Sequence, residues 1–568
     1  MPGRARGIVI GLTAAVLMTA ATVAPMGAAG GAPAGAAGGV PRGAAEITAS
    51  ELKNYLTFIS SDDMEGRDTP SRGLDITARF LAVQLARAGA EPAGDNGTYF
   101  QRIGLTKRKV EADKTSAVLT KGADGKPRSF EYGHDFLAAA VSGVAEGSLV
   151  YVGHGYVIKE KNLDAYKGID VKGKILVAHS GYPPGVSRND VRGASGERWE
   201  SAVTYAAKNG AKGVIYIPSF DSLTRWDRNR NETSEEGTTR MDSSSSSRPK
   251  EPEVPSITAS TEMLAEIFQD EKMSAREIFR RAQTNEPADA FALSASKQVK
   301  FSVETTSTAV PTQNVVAIVR GSDPKLKDEY VAIGAHYDHV GVAGRGRSAE
   351  SGGAGADLIF NGADDDGSGT TALLVMAETA ARLKPRPKRS LLFVWHAGEE
   401  HGLWGSAYYT QHPTVPLDHI VAQLNVDMIG RSRAANDTKP ENKLLTGPNE
   451  VYVIGSKMMS SSLAELSERV NDGYLKVSFN YHYDDPNDST RLFFRSDHYN
   501  YAKKGIPIIF YFSGLHEDYH EPSDSVEKID FTKMERITRT IYATALALSD
   551  APSRPKVDRT LPTQLTEP

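Results

Sequence analysis

The sequence predicts an α/β protein with a mixed, mainly parallel twisted sheet, helices on both faces of that sheet, and a smaller inserted domain. Beyond residue 300, apolar runs typical of strands alternate with helical periodicity, and glycine-separated β-type runs of a different character precede them. The length of 568 residues is too great for one ordinary core. Hydrophobic residues make up 40% of the chain and charged residues 24%, which is typical of a folded protein.

The first 29 residues have the pattern of a secretory signal peptide. Arg4 and Arg6 precede an apolar run that extends to about Ala24, and small residues follow it. An uncleaved anchor is the alternative, because the run approaches the ~20 residues that span a bilayer. We expect cleavage, at a position left open, then a flexible leader over 30–48. The expected mature protein is exported, secreted or periplasmic, with no stable membrane span.

Two amphipathic helices are predicted next, over residues 50–60 and 74–88, where apolar residues recur at helical spacing. Gly89 directly follows the second helix and is a plausible C-cap. We assign these helices to the amino-terminal part of the main domain, residues 49–140.

The pattern changes at about residue 141, and we predict a small α/β or β-rich insertion over 141–290. A helix is expected through Trp199–Lys208. Short β-type runs, separated by glycines, lie at 148–152, 174–178 and 213–217.

Strand and helix patterns alternate over 291–550, which we predict to be the larger part of the main domain, followed by a tail over 551–568. Such alternation predicts a sheet covered on both faces, with chemistry at the strand ends. The predicted strands are 314–320, 330–335, 390–395, 420–426 and 506–512, and the predicted helices are 370–383 and 531–548.

Composition excludes several classes of function. The net charge is −5, with 66 basic and 71 acidic residues, so nucleic acid is not an expected partner. The absence of cysteine removes disulfides, thiolate metal sites and cysteine nucleophiles. Any metal site must use His, Asp and Glu. Serine-triad chemistry is disfavoured because no GxSxG elbow follows a suitable strand.

Five clusters of chemistry-bearing residues follow predicted strands or open a helix. An acidic turn, a Glu pair or a lone His is individually commonplace on a protein surface. Three adjacent carboxylates, however, repel one another unless cations or donors compensate. The joint occurrence of all five in one α/β domain therefore predicts a site. The clusters are GAHYDH at 334–339, NGADDDGSG at 361–369, HAGEEHG at 396–402, NVDM at 425–428 and DYHEPSD at 518–524.

In this order the motifs resemble those of the zinc-dependent peptidases of family M28, the co-catalytic di-zinc aminopeptidases, with glutamate carboxypeptidases as relatives. The resemblance runs from about Ala45 to Ser549, and SDDMEGRDTPSRG and RSDHYNYAKKGIP resemble exported bacterial members. In the insertion, DVKGKILVAH and AAKNGAKGVIYI resemble a protease-associated (PA) domain. The resemblance implies a zinc exopeptidase-like fold.

The resemblance also implies two Zn²⁺ ions per subunit. Each ion receives one His and carboxylate oxygens, which are donors that zinc accepts. Asp365 is implied to bridge the ions, with a cis peptide bond to Asp366. The implied metal ligands are His336, Asp365, Glu400, Asp427 and His520.

Three catalytic roles are implied in the same way. Glu399 is the implied general base, and Asp338 the implied partner that orients His336. Tyr519 resembles the tyrosine that helps polarise the substrate carbonyl in some members, although a tyrosine there can equally be packing.

The sequence thus predicts an exported di-zinc exopeptidase that acts on peptides or small proteins, with aminopeptidase activity placed first. A carboxypeptidase of the same family would need cations such as Arg491 or Arg495 for a terminal carboxylate. A glutaminyl cyclase has a single-zinc site, so the five-ligand set argues against it. A non-catalytic PA/peptidase-like binding protein is a further alternative. Side-chain preference, oligomeric state, the role of the insertion, and Mn²⁺ or Co²⁺ instead of zinc stay open.

Overall fold

The computed structural model describes residues 40–122, 124–191, 196, 198–242, 253–283, 286, 289–343 and 357–561. The predicted signal segment 1–29, residues 30–39 of the leader and residues 562–568 of the tail lie outside these ranges. Within them, no helix combines the length and the apolar character needed to cross a membrane.

The helices predicted at 50–60, 74–88, 370–383 and 531–548 are all observed close to their predicted bounds. Gly89 caps the second of them with a φ of 83°. The helices of the described residues are α1 Ala49–Ile59, α2 Arg72–Ala88, α3 Ala202–Asn209, α4 Phe220–Thr224, α5 Trp226–Asn231, α6 Thr261–Phe268, α7 Ala275–Gln283, α8 Gly369–Arg382, α9 Trp404–Gln411, α10 Ser456–Met459, α11 Ser461–Gly473, α12 His498–Ala502 and α13 Phe531–Asp550.

All the strands predicted from apolar runs are present, and further short strands flank them. In chain order, the strands of the described residues are β1 Glu91–Pro92, β2 Phe100–Ile103, β3 Leu105–Val110, β4 Ser116–Leu119, β5 Arg128–Phe130, β6 Phe136–Ala138, β7 Gly143–Tyr151, β8 Val157–Ile158, β9 Leu163–Asp164, β10 Ile175–His179, β11 Trp199–Glu200, β12 Gly213–Ile217, β13 Thr238–Met241, β14 Ser256–Ala259, β15 Phe291–Ala292, β16 Gln298–Val303, β17 Thr305–Ala309, β18 Thr312–Val319, β19 Tyr330–His336, β20 Ser390–His396, β21 Ile420–Val426, β22 Glu450–Ile454, β23 Ser478–Asn480 and β24 Ile508–Phe512.

The main sheet has the order β1-β18-β20-β19-β21-β24-β22-β23, and β2 also pairs with β18. Its four central strands, β20, β19, β21 and β24, are mutually parallel. The strands next to this centre, β18 and β22, are antiparallel to it. The mixed α/β fold class is therefore confirmed, and the carboxyl ends of the four central strands share one edge.

Helices cover both faces of this sheet. Along β19, Val331, Ile333 and Ala335 belong to a core that includes residues of α1, α2, α8 and α13. The alternating residues Tyr330 and Ala332 belong to the opposite core, which includes residues of α9, α10 and α12. Because a strand presents successive side chains to opposite faces, a sheet buried on both sides reads as a continuous apolar run.

A second sheet lies within the region between β4 and β16, in the order β5-β4-β16-β7-β10-β12-β14-β6, with β15 on β7. It includes strands on both sides of the predicted 141–290 bounds. The helix predicted through Trp199–Lys208 begins later, at Ala202. Trp199–Glu200 instead pairs with β8, and the side chain of Ser201 caps α3 by accepting a hydrogen bond from Thr204 N–H. The identity of this region as a PA domain stays a prediction.

Helix α2 packs closely against the segment Asp62–Arg67, which precedes it in the chain. A Cβ added at Gly73, in the first turn of α2, would lie 1.6 Å from the carbonyl oxygen of Met64. The two backbones therefore touch, and only glycine fits at residue 73. This contact fixes the position of Asp62–Arg67, which reaches the strand ends.

We predict that Gly73→Ala lowers the free energy of unfolding by at least the ~1–3 kcal/mol typical of overpacking, since the clash is with backbone. Gly473→Ala is the matched control, because a Cβ at Gly473 meets nothing within 4 Å. Thermal denaturation followed by circular dichroism should show a lower Tm for Gly73→Ala alone. Equal melting temperatures for both variants would contradict the backbone contact.

Candidate metal centre and active site

The predicted site residues follow the carboxyl ends of the four parallel strands. His336 ends β19, and Asp427 directly follows β21. Glu399 and Glu400 lie shortly after β20, and the chain that leaves β24 carries His520. Since these strand ends share one edge, side chains distant in sequence meet there.

The acidic turn Ala363–Ser368 leads into α8 and divides its three aspartates between different tasks. The carboxylate of Asp364 accepts a hydrogen bond from Gly430 N–H at 2.6 Å. The carboxylate of Asp366 accepts from the N–H groups of His336 at 3.2 Å and Met428 at 3.1 Å. The carboxylates of Asp364 and Asp366 therefore bind backbone N–H groups. Of the three aspartates, Asp365 alone directs its carboxylate toward the other predicted ligands.

The turn is fixed by an aspartate to which sequence reasoning gave no role. Asp524, within the DYHEPSD motif, is fully buried and accepts from the backbone N–H groups of Asp364 at 3.0 Å and Asp365 at 3.1 Å. The peptide bond between Asp365 and Asp366 is cis, as the resemblance implied.

The first group of candidate ligands joins His336, Asp365 and Asp427. Nε2 of His336 lies 3.3 Å from Oδ1 of Asp365 and 3.7 Å from Oδ1 of Asp427. Nδ1–H of the same ring donates to the carbonyl oxygen of Asp338 at 3.1 Å, so the Nε2 lone pair faces both carboxylates. The other oxygen of Asp427 accepts from the Ser496 hydroxyl at 2.6 Å.

The second group joins Asp365, Glu400 and His520 with a fourth residue, His339. Nε2 of His520 lies 3.1 Å from Oδ2 of Asp365 and 3.1 Å from Oε2 of Glu400. Nδ1 of His339 lies 3.0 Å from Oε1 of Glu400 and 3.6 Å from Oδ2 of Asp365. All five predicted ligands thus lie together, and His339 is the residue that sequence reasoning missed.

Both groups fit a divalent cation. Their donors are imidazole nitrogens and carboxylate oxygens, and the distances of 3.0–3.7 Å between them bracket the edge, roughly 3.3 Å, of a tetrahedron with zinc-type bonds of about 2 Å. Within the described residues, the buried atoms Oδ2 of Asp365 and Oε1 of Glu400 have no hydrogen-bond partner. Buried carboxylate oxygens without donors are costly, and a bound cation would supply what they lack.

Burial and mutual repulsion dominate the electrostatics of the site. Burial raises the pKa of Glu399 well above its usual range, opposed by His336 and reinforced by Glu400 and Asp427. Burial acts likewise on Glu400, but contacts with His339 and His520 outweigh it and lower the pKa of Glu400 to about 2. A bound cation replaces these imidazole protons as the compensating charge.

The three predicted catalytic residues line or adjoin the same site. The carboxylate of Glu399 lies 4.0 Å from Nε2 of His336, and its backbone N–H donates to Oδ1 of Asp338 at 3.2 Å. The Asp338 carboxylate is 3.7 Å from Nδ1 of His336, farther than its own carbonyl. Asp338 therefore contacts His336 mainly through backbone and anchors Glu399 with its carboxylate. The ring of Tyr519 stacks on His520 with centroids 3.9 Å apart.

A cavity opens beside these residues. It is lined by His336, Asp365, Glu399 and Asp427. The other lining residues are largely apolar, with Arg495 and Tyr519 as the polar ones. The apolar residues are Met428, Leu492, Phe510, Phe512 and Leu515.

A buried guanidinium holds the loops around the site in place. Arg67 is 0% exposed and donates to the carbonyl oxygens of Tyr337 at 3.1 Å and Gly362 at 2.9 Å. It also donates to those of Ile59 at 2.6 Å and Asn361 at 2.7 Å. One side chain thus connects α1, the loop after β19 and the acidic turn. Sequence reasoning noted this segment only within a quoted motif.

The comparisons with known proteins agree with this geometry. A family model described as Peptidase family M28 matches residues 314–545. A "Probable leucine aminopeptidase" of Trichophyton verrucosum is 26% identical over 241 residues, which cover 41% of this chain and 58% of that protein. A "Probable zinc metalloprotease" of Leptosphaeria maculans is 28% identical over 271 residues, covering 43% and 58%. The chain thus spans less than two thirds of the length of these curated relatives.

Among solved structures, an aminopeptidase from Aneurinibacillus sp. strain AM-1 is similar with a TM-score of 0.50 at 18% identity, covering 91% of this chain and 97% of that one. At this identity the similarity supports the fold alone.

We predict that Arg67→Lys destabilises the protein, because an ammonium cannot reach four divergent carbonyl oxygens. Each carbonyl left without its donor should cost about 1.5–3 kcal/mol of unfolding free energy. Arg225→Lys, which changes an exposed ion pair with Asp221, is the control and should change stability by less than about 1 kcal/mol. Urea denaturation measures the stability of both variants. An unchanged midpoint for Arg67→Lys would refute the stabilising role of the Arg67 hydrogen bonds.

Proposed function

Because residues 314–545 match the model of peptidase family M28, we propose that this chain is a metal-dependent aminopeptidase that releases amino-terminal residues from peptides. One observation carries the proposal: His336, Asp365 and Asp427 meet Glu400 and His520 at one edge of the main sheet. The names of the curated relatives, leucine aminopeptidase and zinc metalloprotease, agree with it.

The proposed cofactor is a pair of zinc ions. Asp365 presents Oδ1 to His336 and Oδ2 to His520, so its two oxygens suit a bridge between the two groups. When bound, two such ions polarise a carbonyl oxygen, lower the pKa of a shared water and neutralise developing charge. The carboxylates of Asp365, Glu400 and Asp427 offset most of their positive charge, which limits the penalty of burial.

Glu399 is the proposed general base. Its side chain lines the cavity, and Asp338 fixes its backbone, so its carboxylate faces the space in which a water and a scissile carbonyl would sit. Glu399 takes a proton from the attacking water and delivers it to the departing amine, which leaves as a neutral group. Tyr519, at the same cavity, is placed to donate its hydroxyl hydrogen to the carbonyl oxygen.

The cavity favours an apolar side chain on the terminal residue. Phe510, Phe512 and Leu492 are among its apolar lining residues, and the carboxylates that line the same cavity suit a free α-ammonium group. A carboxypeptidase is the second candidate, because Arg495 also lines the cavity and is the cation that would pair with a terminal carboxylate. Arg495 donates to the Tyr519 hydroxyl at 3.4 Å.

Export is also part of the proposal. It rests on the pattern of charged, apolar and small residues in segment 1–29. Amino-terminal sequencing of the protein recovered outside the producing cell would test it, and an intact segment 1–29 on that protein would contradict cleavage.

Blocked peptides should separate the two directions of attack. We expect hydrolysis of peptides with a free amino terminus and an amidated carboxyl terminus, and no hydrolysis of their amino-acetylated counterparts with free carboxyl termini. EDTA should abolish the activity and Zn²⁺ should restore it. Cleavage of the acetylated set would identify a carboxypeptidase, and full activity in metal-free protein would refute the metal-dependent reaction.

Glu399→Gln should reduce kcat by about 10²–10⁴-fold, because the amide cannot accept the proton, while metal content stays at the wild-type level. Glu521→Gln is the matched control: Glu521 is exposed and adjacent to His520, and its loss of charge should leave kcat unchanged. Steady-state kinetics and metal analysis of both variants provide the readout. Wild-type turnover by Glu399→Gln would refute its assigned role.

A further inference from the structure

We infer that His339 is a fourth protein ligand of the ion held by Asp365, Glu400 and His520. The inference rests on the proposed function, because it concerns the same metal pair. The five-residue set implied by the sequence motifs gives each ion one histidine. The structure adds a second histidine to one of the two groups.

The distances support coordination. Nδ1 of His339 lies 3.0 Å from Oε1 of Glu400 and 3.6 Å from Oδ2 of Asp365, close to the 3.1–3.7 Å found among the implied ligands. The rings of His339 and His520 are near perpendicular, with centroids 5.6 Å apart. The two imidazoles therefore approach the carboxylates from different directions, as two vertices of a tetrahedron do.

Hydrogen bonding gives no competing explanation of this position. His339 is 0% exposed, and among the described residues neither of its ring nitrogens has a hydrogen-bond partner. Nδ1 is in ion-pair contact with Oε1 of Glu400 at 3.0 Å, but the two atoms are not hydrogen-bonded. A buried Nδ1 that has no hydrogen bond and lies beside two carboxylates is costly unless a cation lies between them.

The surrounding backbone is shaped to hold this ring. The N–H of His339 donates to the carbonyl oxygen of Arg67 at 3.1 Å. The ring lies against Gly362, where a Cβ would be 2.5 Å from both Cγ and Cδ2 of His339. Gly362 has a φ of 57°, and its carbonyl oxygen accepts from Arg67. A side chain at residue 362 would displace the imidazole, so glycine there is a condition for the position of His339.

The additional ligand makes the two centres unequal. His339, Asp365, Glu400 and His520 would give one ion four protein ligands, whereas His336, Asp365 and Asp427 would give the other ion three. Glu399 lies beside the three-residue centre, 4.0 Å from Nε2 of His336. The four-residue centre should therefore bind its ion more tightly.

The test measures metal binding on the full chain. Zinc content and the two dissociation constants are obtained by competition with a chromophoric chelator, and X-ray absorption counts imidazole ligands in the zinc-loaded wild-type protein. We expect two ions of unequal affinity and three imidazoles per two ions. His339→Ala and His339→Gln should each weaken the tighter site at least 10–100-fold, the loss known for partners that merely orient ligands, and reduce the count to two imidazoles.

His401→Ala is the matched control, because His401 is near the site but contacts Asp68 at 2.8 Å. It should leave both dissociation constants unchanged. Two imidazoles per two ions in the wild-type protein would overturn the inference even if no His339 variant folds, while leaving the metallopeptidase proposal intact. Unchanged constants in folded His339 variants would also overturn it. Failure of the wild-type protein to bind zinc would instead refute the proposed function.

Discussion

The site depends on the burial of several carboxylates at one edge of a sheet that gives them few hydrogen-bond donors. Asp365, Glu399, Glu400 and Asp427 converge within a few ångströms in a region largely closed to water. Like charges so placed repel one another. Burial raises the pKa of Glu399, whereas contacts with His339 and His520 lower the pKa of Glu400. Bound zinc would resolve this conflict by compensating the buried negative charge.

The scaffold separates groups that hold the backbone from groups that face the cavity. Asp364, Asp366 and Asp524 are acidic and buried, yet each accepts hydrogen bonds from backbone N–H groups. Asp365 differs because both its oxygens face candidate ligands. The three aspartates of the acidic turn thus serve different purposes although they are adjacent in sequence. The backbone N–H groups around the turn decide which aspartates hold the backbone and which one faces the candidate ligands.

A single guanidinium connects this turn to the rest of the fold. Arg67 reaches carbonyl oxygens on three segments, and its own carbonyl receives the N–H of His339. The contact of Gly73 with Met64 fixes the segment that carries Arg67. The packing of α2 against Asp62–Arg67 is therefore linked to the orientation of the histidines at the site. A shift of Asp62–Arg67 would move the loop after β19 and the acidic turn, because Arg67 contacts both.

The sequence alone determined the strands β18 to β21 and β24 of the main sheet, because apolar runs such as 330–335 and 420–426 are dictated by burial on both faces. Histidines and carboxylates after these strands predicted a site, and the five ligands followed from the resemblance of their motifs to a known family. It did not determine that β4 to β6 and β16 join the second sheet, because short half-buried strands give a weak pattern. Nor could it reveal His339 or Arg67. Their roles depend on contacts with Gly362 and Glu400, distant in the chain, and only tertiary folding brings these together.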